Sequence, residues 1–496
     1  MNTKGNRWQI PLAAAVTHHA DSKPVSFHVP GHKFAQSIQK LASDLPRVWS
    51  AMHAAMSIDV TELSDTDDLH APAGAIAEAQ RLAADSFGAE RTYFLVGGST
   101  AGNLALLLAC CEPGDVIIVQ RNVHKSVLNG LALAGAQTVF VTPRRDESTQ
   151  LDVVPELADI EEALTRYPEA KAVFLTNPSY YGFCVDLAPY AEFVHNRHKL
   201  LLVDEAHGAH FGRHPRFPRS AVHAGADAVV QSTHKTLTAL TMGAMLHIQG
   251  NRLDHQAVKR ALSMIQSSSP SYPIMISLDI ARAMVDYYGP ALFEKGIETA
   301  DRLRHAIKHS ERFKLVESCD RLIRTDPLRI VFMDRTGLLS GYEILSALER
   351  KGCWAEMADA EHVVLVVGME SGDEDATRLL AALNEIAEES RGSSKPAFER
   401  EKASLLWNGS RISEPIRMSR NKYAEHEIET VELGRAAGRI SADLVIPYPP
   451  GIPILFPGEE ISPELVSYVE ALRSLAAKCQ GTADPSLQTL AVLRIR

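Results

Sequence analysis

The sequence predicts an α/β fold in which a large domain with a mixed, mostly parallel sheet precedes a smaller α+β domain and a C-terminal domain. The first observation is that short, continuously apolar runs alternate with stretches of helical length from Ala71 to about residue 248. Strands that are apolar on both faces are typical of a parallel sheet covered by helices. The second observation is that longer helical stretches and only two further strand-like runs follow that region.

Local signals predict the elements in order. Residues 1–70 are rich in His and Pro and predict an irregular N-terminal arm. Pro72 and Gly88 bracket the first helix, because proline suits the first turn of a helix and glycine suits its end. Strands are predicted at 91–96, 115–120, 138–142, 171–177, 199–205, 227–233, 328–333 and 362–367. Further helices are predicted from His124 and at about 155–166, 187–197, 252–265, 273–310, 340–351 and 374–390.

The end of the chain differs in composition. Residues 389–402 are charged or small and predict a linker, and the proline-rich run 445–459 predicts an extended loop. The expected organisation is an N-terminal arm, a large domain, a small α+β domain and a C-terminal domain, with the boundaries 1–70, 71–290, 291–390 and 391–496.

Composition excludes several classes of protein. The 496 residues are 45% hydrophobic and 23% charged, as in ordinary globular proteins. A net charge of −10 without a basic block argues against nucleic-acid and membrane partners. The six cysteines show neither a CxxC pair nor zinc-like spacing with His, so we expect no metal. Neither a convincing signal peptide nor a membrane-spanning run is evident, which favours a cytoplasmic protein.

The strongest chemical signal is Lys235, in the string STHKT directly after an apolar strand. Ligands of α/β sheets bind at the carboxyl ends of strands. A lysine enclosed there can lose its proton and attack a carbonyl group. An isolated lysine in this position is ordinarily a solvated side chain, so the interpretation depends on its neighbours.

Three further strings at strand ends favour a catalytic lysine over a solvated one. Asp204 ends another strand, in DEAHGAH, and could keep a pyridine nitrogen protonated, although such residues also cap loops. Ser99 and Thr100, in GGSTAGN, stand where a helix N-terminus could bind a phosphate, although the same residues are ordinary caps. His124 follows a third strand and could stack on a cofactor ring, although a lone His there is more often a surface residue. Together these elements predict a pyridoxal-phosphate enzyme.

The strings FHVPGHK, DVTELSDTDDLHAPAGAIAEAQ, GGSTAGN, RNVHKS, DEAHGAH, STHKTLTALT and GRISADLVIPYPPGIPILFPGE extend from about residue 25 to 460. On these strings the sequence resembles the short form of the Orn/Lys/Arg decarboxylases, which have the pyridoxal-phosphate-dependent aspartate-aminotransferase-like fold (fold type I). Residues 71–290 would then be the cofactor-binding domain. DEAHG alone would also fit acyl-CoA-dependent relatives. Thr241-Met242 and DEAHG depart from the strings of the long-form enzymes, and these departures bear on the substrate rather than on the reaction.

The resemblance implies roles for individual residues. Lys235 would hold the cofactor as a Schiff base, Asp204 would pair with the pyridine nitrogen, and His124 would stack on the ring. His234 would stand beside the Schiff base, and His207 could hydrogen-bond the cofactor or the substrate carboxylate. The phosphate would bind Ser99, Thr100 and Ser232. Candidates for the cationic end of the substrate are Asp65, Asp67, Asp68 and Glu459, each of which could equally face solvent or cap a helix.

The resemblance also implies the reaction and the assembly. The expected reaction is α-decarboxylation of arginine, lysine or ornithine to agmatine, cadaverine or putrescine, in polyamine biosynthesis. The alternatives are an aminotransferase, a 2-oxoamine synthase and a non-catalytic regulatory paralogue. We expect a homodimer or larger even oligomer, with some of His28, His32, Lys33 and Glu459 near a cleft. The competing expectation is that both chain ends fold over their own subunit.

Overall fold

The computed structural model describes residues 8–39, 47–391, 411–419, 423–448, 451–475 and 477–494. These residues form two compact units. Unit 1 comprises Met1–Cys110 and Asp186–Leu292, and unit 2 comprises Cys111–Val185 and Phe293–Arg496, each within the described ranges. The chain therefore enters unit 2 twice.

The secondary structure agrees with an α/β protein. The described helices are α1 (Pro11–Asp21), α2 (Gln36–Gln39), α3 (Arg47–Ser57), α4 (Ala75–Phe87), α5 (Gly98–Cys110), α6 (Lys125–Ala134), α7 (Leu157–Arg166), α8 (Ala188–Asn196), α9 (Ala221–Ala224), α10 (Thr233–Thr236), α11 (His255–Ile265), α12 (Tyr272–Tyr288), α13 (Glu294–Lys308), α14 (Gly341–Arg350), α15 (Asp373–Glu389) and α16 (Pro463–Ser474). The described strands are β1 (Arg91–Leu95), β2 (Val116–Gln120), β3 (Gln137–Val141), β4 (Ala172–Thr176), β5 (Phe183–Cys184), β6 (Leu200–Asp204), β7 (Ala228–Gln231), β8 (Ala244–Ile248), β9 (Phe313–Leu315), β10 (Arg324–Thr325), β11 (Arg329–Asp334), β12 (Met357–Ala358), β13 (His362–Val366), β14 (Ile416–Arg417), β15 (Ile428–Glu432), β16 (Ile446–Pro447), β17 (Cys479–Gln480) and β18 (Thr489–Leu493).

Unit 1 carries a run of four strands in the order β1-β8-β7-β6. Strands β6 and β7 are parallel, whereas β8 runs antiparallel to both of its neighbours. Helix α5 packs closely on these strands at Gly102, where an added Cβ would lie 2.8 Å from both Leu95 Cδ1 and Val230 Cγ1. The carboxyl ends of β6 and β7 consequently lie side by side under the start of α5.

Unit 2 carries a run of four strands in the order β4-β2-β3-β14. Strands β4, β2 and β3 are parallel, and β14 is antiparallel to β3. A second, antiparallel sheet has the order β12-β13-β11-β9. A separate apolar cluster, centred on Val445, Leu455 and Val469, forms the core around α16 near the end of the chain. The expected α/β and α+β elements are therefore present.

One expectation about an individual segment needs correction. The N-terminal arm is not irregular throughout, because α1 and α3 lie within it. Helix α1 packs on α4 and α12, and Leu12 N donates to Asp279 Oδ2 at 3.2 Å. The expected linker at 389–402 falls largely outside the described residues, as do Pro449 and Pro450 of the C-terminal string. The four-part division of the chain stays a prediction. Among the described helices, none combines the length and apolarity required to cross a membrane.

Candidate active site

Lys235 and His207 meet at the carboxyl ends of two adjacent parallel strands. Ser232 follows β7 and is the N-cap of the short helix α10, which places Lys235 one turn later. His207 follows β6 by three residues. The distance from Lys235 Nζ to His207 Nε2 is 3.0 Å, so the two groups can share a proton. The sequence predicted both residues at one sheet edge, and the structure brings them into contact.

Asp204 is the last residue of β6 and is buried, with 3% of its surface exposed. Its carboxylate accepts hydrogen bonds from Asn103 Nδ2 at 2.8 Å and from the Ala206 backbone N–H at 3.0 Å. Burial raises the pKa of Asp204, while the Asn103 hydrogen bond and the positive charge of Lys235 oppose that rise. The sequence analysis did not identify Asn103 as a site residue. Its position one helical turn after Ser99 is the only feature of the sequence that could have indicated this role.

Several hydroxyl groups beside Lys235 have no partner. Ser232 Oγ, Thr233 Oγ1 and Thr236 Oγ1 are buried and make no hydrogen bond with any described residue. Buried polar groups are nearly always hydrogen-bonded, so these three indicate a missing polar ligand. Ser99 and Thr100 lie in the first turn of α5, where backbone N–H groups are also available to an anion.

His234 contacts Gly243, which directly precedes β8. Gly243 O accepts a hydrogen bond from the His234 backbone N–H and lies 3.1 Å from His234 Nδ1. This contact positions the ring between α10 and β8.

Glu205 follows Asp204 and has no exposed surface. Its carboxylate accepts hydrogen bonds from Ser220 Oγ, the Ala221 backbone N–H and Gln231 Nε2 at 2.6–2.7 Å. Burial raises the pKa of Glu205 to about 7, because these donors offset only part of the desolvation. His247 extends the network, since its Nε2 lies 3.1 Å from Gln231 Oε1.

His124 lies in unit 2, at the N-cap of α6 after β2. Its Nδ1 accepts a hydrogen bond from the Ser126 backbone N–H at 3.2 Å and lies 2.8 Å from Ser126 Oγ. A Cβ added at Gly451 would lie 3.3 Å from the His124 ring, so the C-terminal loop packs closely against it. The expected stacking role stays a prediction.

Glu459 also lies in unit 2, where it pairs with Arg121. The Arg121 guanidinium is nearly buried, and its Nη2 donates to Glu459 Oε2 at 2.6 Å. It also lies over the Phe456 ring, with its Cζ 4.4 Å from the ring centroid. This pairing satisfies the Glu459 carboxylate within its own chain.

The acidic candidates near the N-terminus have local partners. Asp67 accepts hydrogen bonds from four backbone N–H groups of residues 73–77 and so caps the start of α4. Asp65 Oδ2 lies 2.8 Å from His19 Nδ1, and Asp68 accepts from the His70 backbone N–H. These local contacts account for all three carboxylates.

The remaining candidates in the arm are also held locally. His32 Nε2 lies 3.2 Å from Asp59 Oδ2, and Lys33 Nζ donates to His28 O. Their expected position near a cleft stays a prediction.

The residues gathered in unit 1 fit pyridoxal phosphate. Lys235 offers an amine, Asp204 offers a buried carboxylate, and the unpartnered hydroxyl of Ser232 lies in the segment between them. An amine, a carboxylate and hydroxyl donors are the groups needed to bind the aldehyde, the pyridine nitrogen and the phosphate of that cofactor.

Comparison with known proteins covers nearly the whole chain. Residues 10–370 match the model of the Orn/Lys/Arg decarboxylase major domain, and residues 412–486 match that of the C-terminal domain. An arginine decarboxylase of Bacillus subtilis is 33% identical over 98% of both chains. The uncharacterized protein YaaO of the same organism is 39% identical over 95% of this chain and 96% of its own. The crystal structure of the Francisella novicida lysine decarboxylase LdcF has a TM-score of 0.81 and 18% identity, and the match covers 99% of this chain and 81% of that one.

Proposed function

Because the chain belongs to the Orn/Lys/Arg decarboxylase family, whose members are pyridoxal-phosphate-dependent amino-acid decarboxylases, we propose that it removes the α-carboxyl group of arginine and releases agmatine and CO₂. Arginine is favoured over lysine and ornithine by the named relatives. Those that are 32–33% identical are arginine decarboxylases, whereas the lysine decarboxylases are 24% identical. A cytoplasmic role in polyamine biosynthesis is part of this proposal.

The residues of unit 1 would hold the cofactor. In the proposal, Lys235 binds its aldehyde, Asp204 faces its pyridine nitrogen, and Ser99, Thr100 and Ser232 bind its phosphate. His124 is proposed to stack on the ring, as the family resemblance implies. When bound, pyridoxal phosphate supplies an electron sink for the electron pair released as the carboxyl group leaves.

The chain's own groups would control charge and protons. A carboxylate at Asp204 favours a protonated ring nitrogen, and the Asn103 hydrogen bond holds that carboxylate in place. His207, 3.0 Å from Lys235 Nζ, can take up or return the lysine proton. Lys235 and His234 are the candidate donors of the proton that replaces the carboxyl group at Cα.

One observation carries the proposal: the contact between Lys235 and His207 lies beside a buried Asp204 carboxylate, at the edge of the sheet where α/β folds bind ligands. The test is to supply the purified holoenzyme with arginine, lysine and ornithine in parallel and to identify the products. We expect CO₂ and agmatine from arginine at the highest kcat/KM. An oxo acid or a ketone would instead indicate an aminotransferase or a 2-oxoamine synthase.

We also propose a homodimer or a larger even assembly. Helix α3 buries none of its described residues. Exposed apolar side chains cluster in the same part of the chain, where Phe27 is 95% exposed, Val25 81% and Trp8 47%. Exposed apolar side chains of this kind favour an interaction site, and a second copy of the chain would cover them.

A further inference from the structure

The turn that follows β6 carries Asp204, Glu205 and His207 within four positions. Asp204 and His207 have proposed roles, whereas Glu205 has none, although its side chain has no exposed surface. The Glu205 backbone N–H donates to Val230 O, and Glu205 O accepts from the Gly208 N–H, both at 2.9 Å. His207 lies inside the turn that this second hydrogen bond closes, so its position depends on that of Glu205.

The Glu205 carboxylate links this turn to the end of β7. Its Oε2 accepts from Gln231 Nε2 at 2.6 Å, and Gln231 is the last residue of β7, four residues before Lys235. The same oxygen accepts from Ser220 Oγ, and Oε1 accepts from the Ala221 backbone N–H, each at 2.7 Å. Three donors thus hold both carboxylate oxygens, and one of them belongs to the strand that leads to Lys235.

The methylene groups of Glu205 pack against the same turn. A Cβ added at Gly208 would lie 2.6 Å from Glu205 Cγ and 2.9 Å from Phe211 Cδ2, whereas carbon atoms in contact are about 3.5–4.0 Å apart. The turn can close over Glu205 because Gly208 has no side chain. A movement of either residue would displace the adjacent His207, whose Nε2 lies 3.0 Å from Lys235 Nζ.

A line of buried donors ends on the Glu205 carboxylate. Burial lowers the pKa of His247 to about 3, so its ring is neutral and has one donor and one acceptor nitrogen. His247 Nε2 donates to Gln231 Oε1 at 3.1 Å, because that oxygen can only accept, and Nδ1 accepts from Thr92 Oγ1 at 2.8 Å. Donors on β1, β8 and β7 therefore all point towards Glu205, which fixes the position of its carboxylate.

We propose that Glu205 is a positioning residue that holds His207 against Lys235, an inference that rests on the function proposed above. While Lys235 carries a proton its nitrogen can only donate, so His207 Nε2 accepts and the contact favours the protonated form. The hydrogen bonds of the Glu205 carboxylate go to other residues, so Glu205 acts on Lys235 through the position of His207. Loss of that position should lower the pH at which the Lys235 nitrogen gives up its proton.

The test follows the lysine-bound cofactor rather than turnover. The visible absorbance of the holoenzyme is titrated with pH for the wild type and each variant. In Glu205→Ala we expect the absorbance change to move to lower pH by about one unit, the effect of losing one hydrogen bond with a charged group. Glu205→Gln keeps the length of the side chain and an acceptor oxygen, so it should show less than half of that shift.

Two further variants separate positioning from stability. Gly208→Ala leaves every hydrogen-bonding group in place, but its methyl group should displace the turn from Glu205 and move the absorbance change in the same direction. Asp227→Ala is the matched control, because Asp227 is a buried carboxylate that links β7 to β6 at their opposite ends, through the Leu201 backbone N–H at 2.8 Å. It should lower the melting temperature, as Glu205→Ala does, and leave the absorbance change at the wild-type pH.

A wild-type titration in folded Glu205→Ala or Gly208→Ala would overturn the inference, as would an equal shift in Asp227→Ala. If Glu205→Ala does not fold, the Gly208→Ala titration decides. Failure of both to fold would show that Glu205 stabilises the fold rather than positions His207, which also overturns the inference. The proposed function fails separately: an oxo acid or a ketone from arginine would refute decarboxylation, whereas shifted titrations in the same proteins would leave Glu205 as a positioning residue.

Discussion

Among single residues, Lys235 has the most direct proposed role. Lys235→Ala should abolish decarboxylation and the visible absorbance of the lysine-bound cofactor, because no other amine follows β7 at that position. Near-ultraviolet circular dichroism should show an intact fold. Reduction of the wild-type holoenzyme with borohydride, followed by peptide mapping, should label Lys235. Lys259→Ala, at an exposed position of α11, is the control and should keep both activity and absorbance.

A label on another lysine, such as Lys125, would contradict that assignment. Lys125 Nζ donates to Gln480 Oε1 at 2.7 Å and lies 5.2 Å from the Tyr448 ring centroid in unit 2.

Asp204 supports a second prediction at this scale. Asp204→Asn removes the negative charge while keeping the size of the side chain, so turnover should fall by at least about 10²-fold, as when a main electrostatic stabiliser is lost. Cofactor should still bind through its phosphate, which absorbance can check. Asp186→Asn, at an exposed carboxylate, serves as the control. Near-normal turnover in Asp204→Asn would mean that a different residue faces the ring nitrogen.

Among the elements, β6, α9 and β7 are joined through Glu205. A folded-state pKa raised from the ordinary 4.5 to about 7 means that Glu205 stabilises the fold most below pH 4.5. That stability is lost as the pH rises through about 7, a change of about 3 kcal/mol at most. The glutamine in Glu205→Gln does not titrate. The melting temperature of this variant should therefore fall less than that of the wild type between pH 4.5 and 7.

Thermal unfolding across that pH range, for wild type and Glu205→Gln side by side, measures the effect. Parallel curves for the two proteins would show that Glu205 is ionised throughout and that its three donors outweigh burial.

The sequence predicted most elements because their signals are local. The helix predicted between Pro72 and Gly88 is α4, and Gly88 ends it at φ +73°, a conformation that glycine adopts freely. Helix α1 was missed because its apolar run is short and starts at Pro11. The antiparallel direction of β8 was also not predicted, since an apolar run has the same appearance in either direction.

The candidate site was predictable only in part. Asp204 ends β6, and His207 and Lys235 lie three and four residues after β6 and β7, so the positions of the predicted strands indicated that they would share a sheet edge. A cavity of about 150 Å³ in unit 2, which is lined by four tyrosines, had no comparable signal. Tyr181, Tyr342, Asp359 and Tyr468 are spread over nearly three hundred residues, and only tertiary folding of unit 2 gathers them.

For the whole molecule, the testable property is assembly. Sedimentation should give a mass that is an even multiple of 54.3 kDa. The double variant Phe27→Asp/Trp49→Asp places charges among the exposed apolar side chains of residues 8–58 and should shift the protein towards monomer. Leu322→Asp, at a residue that is 71% exposed in unit 2, is the control and should leave the mass unchanged.

A monomeric wild type at micromolar concentration would refute the assembly. An unchanged oligomer in the double variant would refute only this choice of surface.

The ion pair between Arg121 and Glu459 has a consequence for how such a chain can evolve. It links two residues 338 positions apart, one in each of the two matched family regions. Replacing the C-terminal region with an unrelated segment would strand a nearly buried guanidinium without its counter-ion, a loss of roughly 3–5 kcal/mol. Recombination would therefore have to exchange the two matched family regions together. A substitution of Arg121 would likewise favour a compensating substitution of Glu459. Across related sequences, the two positions should vary together.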